Sequence, residues 1–150
     1  MKIKIKKLNE NAVIPFKVHE DDFCFDVVAT SCEEIAPNVY KYGTGLALQI
    51  GENRRMSKGR GAILGIDARP RSSVWKTGMV LSNCLGTIDA GYTGEISAVF
   101  YHVMPNMPKY NVGDRIMQIC VGRTYDVEFE EVSELSATDR GANGYGSTGK

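Results

Sequence analysis

The sequence predicts an all-β fold, a sandwich or barrel-like arrangement, and three observations predict it. Short runs rich in Val, Ile, Tyr and Phe recur along the 150 residues. Sixteen glycines supply turn positions between those runs. Long stretches with an apolar period of 3.6 residues are absent, so long amphipathic helices are not expected.

The first strand is expected over Lys2–Leu8, where Ile3 and Ile5 alternate with lysines as on a half-buried strand. Further strands are expected over Phe25–Ala29, Thr44–Ile50, Ala62–Ala68, Met79–Asn83, Glu95–His102, Arg115–Val121 and Val127–Glu130. One short helix fits Ser72–Thr77, stopped by Gly78. The polar, basic stretch Asn53–Gly59 reads as an exposed loop between two strands. Residues 1–139 then form one β domain. Residues 140–150 lack apolar periodicity and form a glycine-rich tail that should be mobile on its own.

Composition removes several function classes. Lys+Arg and Asp+Glu both number 18, for a formal net charge of +0. A protein that coats duplex nucleic acid carries a basic excess, so no direct nucleic-acid partner is expected. An anion bound here must instead be met by a few placed groups. Cys24, Cys32, Cys84 and Cys120 form no CxxC pair and have no paired His ligands, which argues against structural zinc. Reduced thiols in a cytoplasmic protein are the expected state. The basic N-terminus leads into no apolar run, so it does not read as a signal peptide, and no segment is suited to span a membrane.

Four segments carry groups capable of chemistry. Pro70-Arg71-Ser72-Ser73 joins a planar fork of donors to two hydroxyls at the start of a helix, which suits phosphate. The same residues also suit a plain helix cap. Ser82 to Glu95 reads as two strand-like pieces around a tight turn near Gly86. As a β-hairpin it would present backbone donors and acceptors to a flat base, with Asp89 at its exit. Asp89 can equally be a turn residue. Gly113 to Ile119 is a turn entering a strand, in which Asp114 and Arg115 can form an ion pair. The Gln118 amide there needs a partner inside an apolar run. The tail from Arg140 offers glycine backbone N–H groups, Ser147 and Thr148 to a polyphosphate, and Tyr145 as a stacking face, or is simply disordered. It lacks the GxxxxGK[ST] order of a P-loop.

Taken in order, these segments resemble the five motifs of the trimeric dUTP diphosphatase (dUTPase) family: Phe25 to Ala29, Pro70 to Gly78, Gly86 to Gly94, Gly113 to Ile119 and Arg140 to Gly149. The resemblance implies a jelly-roll-like β-clip fold and a homotrimer with composite sites. One subunit gives the first, second and fourth motifs, the next gives the third, and another closes its tail, residues 140–150, over the site as a lid. It implies hydrolysis of dUTP to dUMP and pyrophosphate by water attacking the α-phosphorus. Asp89 would be the general base. Asn83, Gly86 and Ile88 would read the uracil edge, mainly through backbone groups, and Tyr92 would pack on the deoxyribose. Arg71, Ser72, Ser73 and Gln118 would hold the α- and β-phosphates. Arg140, Ser147 and Thr148 would hold the γ-phosphate, with Tyr145 stacked over uracil. Mg2+ would ride on the phosphates and water, with Asp26 accepting from its waters.

The chain departs from the usual pattern at Phe23-Cys24, where Ala-Gly is common, at Asn143 for a glycine, and at Tyr145 for a Phe. A dCTP deaminase shares parts of these motifs, but its glutamate base would fall at Val99 and its arginine at Lys76. A nucleotide-responsive regulator on the same fold would place its partner at Asn53–Gly59. A ligand-free structural trimer would leave Asn83, Asp89 and Gln118 without a task.

Overall fold

The computed structural model describes residues 2–50 and 62–144. Asn53–Gly59, Tyr145, Ser147 and Thr148 lie outside the described residues. The described strands are β1 (Ile3–Lys7), β2 (Phe25–Val28), β3 (Ser31–Ala36), β4 (Val39–Ile50), β5 (Ala62–Pro70), β6 (Met79–Leu81), β7 (Gly86–Asp89), β8 (Glu95–His102) and β9 (Arg115–Tyr125). The only described helix is one 3-10 turn, Val74–Thr77.

The strands form two antiparallel sheets. One runs β1-β4-β8-β6 with β3 also paired to β4; the other runs β2-β9-β5-β7. Alternation decides which side of each strand enters the core. On β8, Ile96, Ala98 and Phe100 are buried while their neighbours are not. Val27, Ile66, Ala68, Met117 and Ile119 supply the facing side from the second sheet. The core is therefore the space between the sheets.

Aromatic packing fixes one end of that core. The rings of Tyr42, Phe100 and Tyr110 meet edge to face, with centroids 5.5–6.3 Å apart. Tyr42 has 0% exposure, and its hydroxyl donates to the Tyr110 carbonyl at 2.8 Å. Tyr42→Phe leaves that carbonyl without its donor and should cost about 1–3 kcal/mol. Urea unfolding at pH 8 would show it as a lower midpoint at an unchanged slope. Burial, followed by the neighbouring Cys32 side chain, raises the Tyr42 phenol well above its ordinary value. An acid raised in the folded state stabilises fully below its unfolded pKa of about 10 and loses that contribution as pH climbs past it. The gap between wild type and Tyr42→Phe should therefore narrow in alkali.

The expected strands are largely present, with four differences. β3 was not expected, because all of its residues are exposed and Glu33-Glu34 interrupts its apolar character. It is held by a hairpin to β4, in which Pro37 precedes Asn38 at φ 61, the pairing a type II turn favours. β4 starts at Val39 rather than Thr44. It carries a bulge between Gly43 and Ala47, with Gly45 at φ 64, so these glycines bend a strand rather than begin one. The expected strand Val127–Glu130 is irregular and exposed, because no described strand of the same chain pairs with it. Lastly, Met79–Asn83 and Gly86–Asp89 do not form a hairpin with each other: β6 joins β8 in one sheet and β7 joins β5 in the other. The turn between them, with Cys84 at φ 56, crosses from sheet to sheet.

Candidate active site

The first cluster gathers on β2, β9 and the end of β5. Register places Asp26 opposite Gln118, and Gln118 opposite Arg69. Asp26 and Gln118 alternate with core residues Val27, Met117 and Ile119, so they share the outward face. Arg71 follows β5 and turns back over this face. Its Nε donates to one Asp26 carboxylate oxygen at 2.9 Å, and Arg115 donates to the other at 2.9 Å. Arg71 also donates to the Ser73 hydroxyl at 3.2 Å. The Gln118 amide donates to the Pro70 carbonyl at 3.2 Å, which answers its need for a partner.

One anion between two guanidiniums leaves a local excess of positive charge, and Asp26 holds both forks in place. These groups open into a cleft of about 540 Å³ lined by Asp26, Arg71, Ser72, Arg115 and Gln118, with Asp22, Phe23, Cys24 and Arg69 at its wall. Backbone N–H groups of His19 and Val18 donate to Asp22, and the His19 bond chiefly holds its carboxyl below the ordinary range. Such a cleft suits a polyanion met by arginine forks, a hydroxyl and an amide.

The sequence allows Arg115 to pair with Asp114. It pairs instead with Asp26, 89 residues away, while Asp114 accepts from the Asn111 backbone in its own turn. The 3-10 segment is too short to carry a sizeable dipole, and Ser73 makes no side-chain cap bond. Gly78 ends the segment as expected, at φ 60, where an added Cβ would meet the Met104 carbonyl.

The second cluster lies on β7 and the loop after it. Asp89 is exposed at the end of β7. The Asp89 carbonyl accepts from the Tyr92 N–H at 3.0 Å, closing the Gly91-Tyr92 turn. The Tyr92 hydroxyl donates to the Glu95 carbonyl at 3.0 Å, and its ring covers Gly94 so closely that an added Cβ there would clash. Thus Gly94 lets the ring lie flat and remain half-exposed. Asp89 and Tyr92 share a small cleft with Thr87, Ile88 and Ser97. The Asn83 side chain leans over Gly86, where an added Cβ would lie 3.4 Å from its amide nitrogen. The Ile88 side chain packs against the core, leaving its backbone groups as its polar edge.

Within one chain the two clusters are far apart. Asp89 pairs with Gly65 on β5, four residues before Arg69, and β7 lies three strands from β2. At ~3.3 Å per residue and ~4.8 Å per strand, the Asp26 and Asp89 backbones are separated by about 20 Å.

Beyond Tyr125 the described chain is exposed through residue 144. Arg140 donates to the Asn143 carbonyl at 3.0 Å, and the left-handed residue of this turn is Gly141 (φ 50), not Asn143. Among the described residues, Arg140 bonds to neither cluster of its own chain. The sequence reading overlooked Arg115 as the second clamp on Asp26, and Asp22 and Arg69 as wall residues. Only the strand register, which sets Asp26 beside Gln118 and Arg69, exposes them.

A family model for dUTPase matches residues 11–149. The deoxyuridine 5'-triphosphate nucleotidohydrolase of Clostridium novyi is 35% identical over 151 residues, covering 99% of each chain. Among solved structures, the dUTPase of Staphylococcus bacteriophage 80alpha with dUpNHpp superposes with a TM-score of 0.79 at 23% identity, covering 99% of each chain. An Asp-to-Asn mutant of the dUTPase of phage phi11 of S. aureus, described with a structural Mg(II) ion, gives 0.71 at 21% identity over 91% of this chain and 100% of that one. With a family model matched over residues 11–149 and a relative 35% identical over 99% of each chain, this chain belongs to the dUTPase family.

Proposed function

We propose that the chain hydrolyses dUTP to dUMP and pyrophosphate in a site assembled from three copies of itself. The reaction class follows from the family. The assembly is supported by the sheet order: strand spacings put the Asp26 and Asp89 backbones about 20 Å apart in a single chain, whereas a general base must reach its proton within hydrogen-bond distance or through one water. A second copy would then supply the Asp89 that meets a nucleotide whose phosphates lie on Arg71.

In this reading Arg71, Ser72, Ser73 and Gln118 bind the α- and β-phosphates of one subunit's cleft. From the neighbour, Asn83, Gly86 and Ile88 present polar edges to uracil, and the Tyr92 ring packs on the deoxyribose, excluding a ribose 2′-hydroxyl. The neighbour's Asp89 takes a proton from the water that attacks the α-phosphorus. Arg140, Ser147 and Thr148 of a further tail hold the γ-phosphate, and Tyr145 stacks over uracil. A polar site of this kind can reject a mismatched base by ~10⁴-fold.

In this reading Mg2+ is carried mainly by the triphosphate and water and takes few protein ligands. Each Asp26 oxygen already accepts from one guanidinium and keeps a further lone pair, which suits a water on the ion rather than the ion itself. Bound there, Mg2+ would neutralise phosphate charge and fix the chain geometry.

The homotrimer and jelly-roll closure draw support from the segment after β9. Phe129 is 93% exposed and Leu135 88%, apolar surface that a neighbour would cover. No described helix is long and apolar enough to cross a membrane. Deaminase chemistry is disfavoured, because Val99 on β8 cannot move a proton.

The test is pyrophosphate release from dUTP, dCTP, dTTP and UTP, each with and without Mg2+, alongside sedimentation of the same preparation. Rapid release from dUTP alone, by a particle of three chains, is expected. Deamination of dCTP, or full activity in a monomer, would overturn the reading.

A further inference from the structure

We propose that Cys24 and Cys120 form a redox modification site, joined by peroxide-class oxidants into a disulfide that ties the entry of β2 to β9 and slows the enzyme. Phe25 lies opposite Ile119 and Asp26 opposite Gln118; Cys24, just before β2, and Cys120 on β9 are the next residues beyond that paired ladder. Facing residues of antiparallel strands have Cα atoms about 4.5–5.5 Å apart, inside the ~4.4–6.8 Å that a disulfide spans. Both thiols are free, and Cys120 is near enough to Cys24 to perturb its ionisation.

The pair also adjoins the phosphate cleft. Two residues from Cys24 on the same face is Asp26, the anchor of Arg71 and Arg115. Two residues from Cys120 is Gln118. Cys24 itself is part of the cleft wall. By contrast, Cys32 faces Tyr42 across its strand pair and has no thiol opposite.

The chemistry balances without a cofactor. The Cys24 thiolate, partly exposed, attacks one oxygen of hydrogen peroxide, giving a sulfenic acid and releasing hydroxide, which takes up the proton lost by Cys24. The Cys120 sulfur then displaces the sulfenic hydroxyl as water, losing its own proton. Two thiols lose two electrons, one peroxide gains them, and two waters form. Burial, then Cys120, pushes the Cys24 thiol up, while Arg69 and Lys17 draw it down. The bond should therefore form slowly, under sustained oxidant.

Closing it draws the two sulfurs together by about 1–2 Å, from contact to bond length. That pull acts one row from the Asp26 clamp, and displacements near 1 Å can cost ~10²-fold in rate. The cross-link rests on register alone. Its effect on turnover rests on the placement of phosphates in the adjoining cleft, which Arg71→Ala tests separately in reduced protein through the KM for dUTP.

The experiment exposes the full-length protein to hydrogen peroxide, maps peptides without reduction, and assays dUTP hydrolysis before and after dithiothreitol. The expected result is a Cys24–Cys120 peptide pair, a loss of activity of about tenfold or more, and recovery on reduction. Cys24→Ser should show the same rate before and after peroxide. Absence of the linked pair, a linked pair with undiminished turnover, or an equal reversible loss in Cys24→Ser would overturn the proposal.

Discussion

Asp89→Asn should lower kcat for dUTP by ~10²–10⁴-fold, the range general-base removal usually costs. Nucleotide binding should survive, because the phosphates are met elsewhere, by Arg71, Ser72, Ser73 and Gln118. The fold should survive as well. Asp89 is an exposed residue at the end of β7. Its backbone carbonyl, which asparagine retains, closes the turn to Tyr92. Equilibrium binding of a non-hydrolysable dUTP analogue, measured beside single-turnover hydrolysis, separates the two effects. An unchanged chemical step would remove Asp89 from the base role. A matching loss of analogue affinity would make it a binding residue instead.

The sequence was most informative where a local rule and the tertiary contact agree. β8 was legible from Glu95 to His102 because Ile96, Ala98 and Phe100 alternate with residues that stay out of the core. The stop at Gly78 was legible because a left-handed residue ends the helical turn there. β3 was not legible, since nothing on it is buried and only a Pro-Asn turn betrays the hairpin. β6 and β7 look like a hairpin because a turn separates two extended runs. Which sheet each run enters is decided by β8 and β5, outside the segment.

The candidate site divides along the same line. Motif order identified Arg71, Gln118 and Asp89 singly. The clamp on Asp26 joins residues 45 and 89 positions apart, and no spacing rule connects them. Phe23-Cys24 appeared as a departure from the family pattern. Register makes half of that departure a feature of this chain, because Cys24 and Cys120 follow directly on the Phe25–Ile119 pair. The separation of Asp89 from the arginines was implied only by resemblance until the sheet order gave it a length.

The composite arrangement leads to the strongest test of the proposal. A chain ending at Thr138 should fold, because the core of the described residues draws on none beyond β9. It should be nearly inactive, since it lacks Arg140, Tyr145, Ser147 and Thr148. Asp89→Asn in a full-length chain should also be nearly inactive, for a different reason. Co-expressed, the two should recover activity. If the base and the tail reach a site from different subunits, random mixing at equal amounts gives roughly a quarter of the sites an intact Asp89 from a truncated chain and an intact tail from a full-length one. If one subunit had to supply both, no site in any mixture would be complete, because no chain present carries both. Recovered dUTP hydrolysis in mixed trimers, purified through a tag on each partner, is the expected outcome. Activity no higher than that of the two parent variants would mean that the tail and the base come from the same chain, and the three-way division of the site would have to be abandoned.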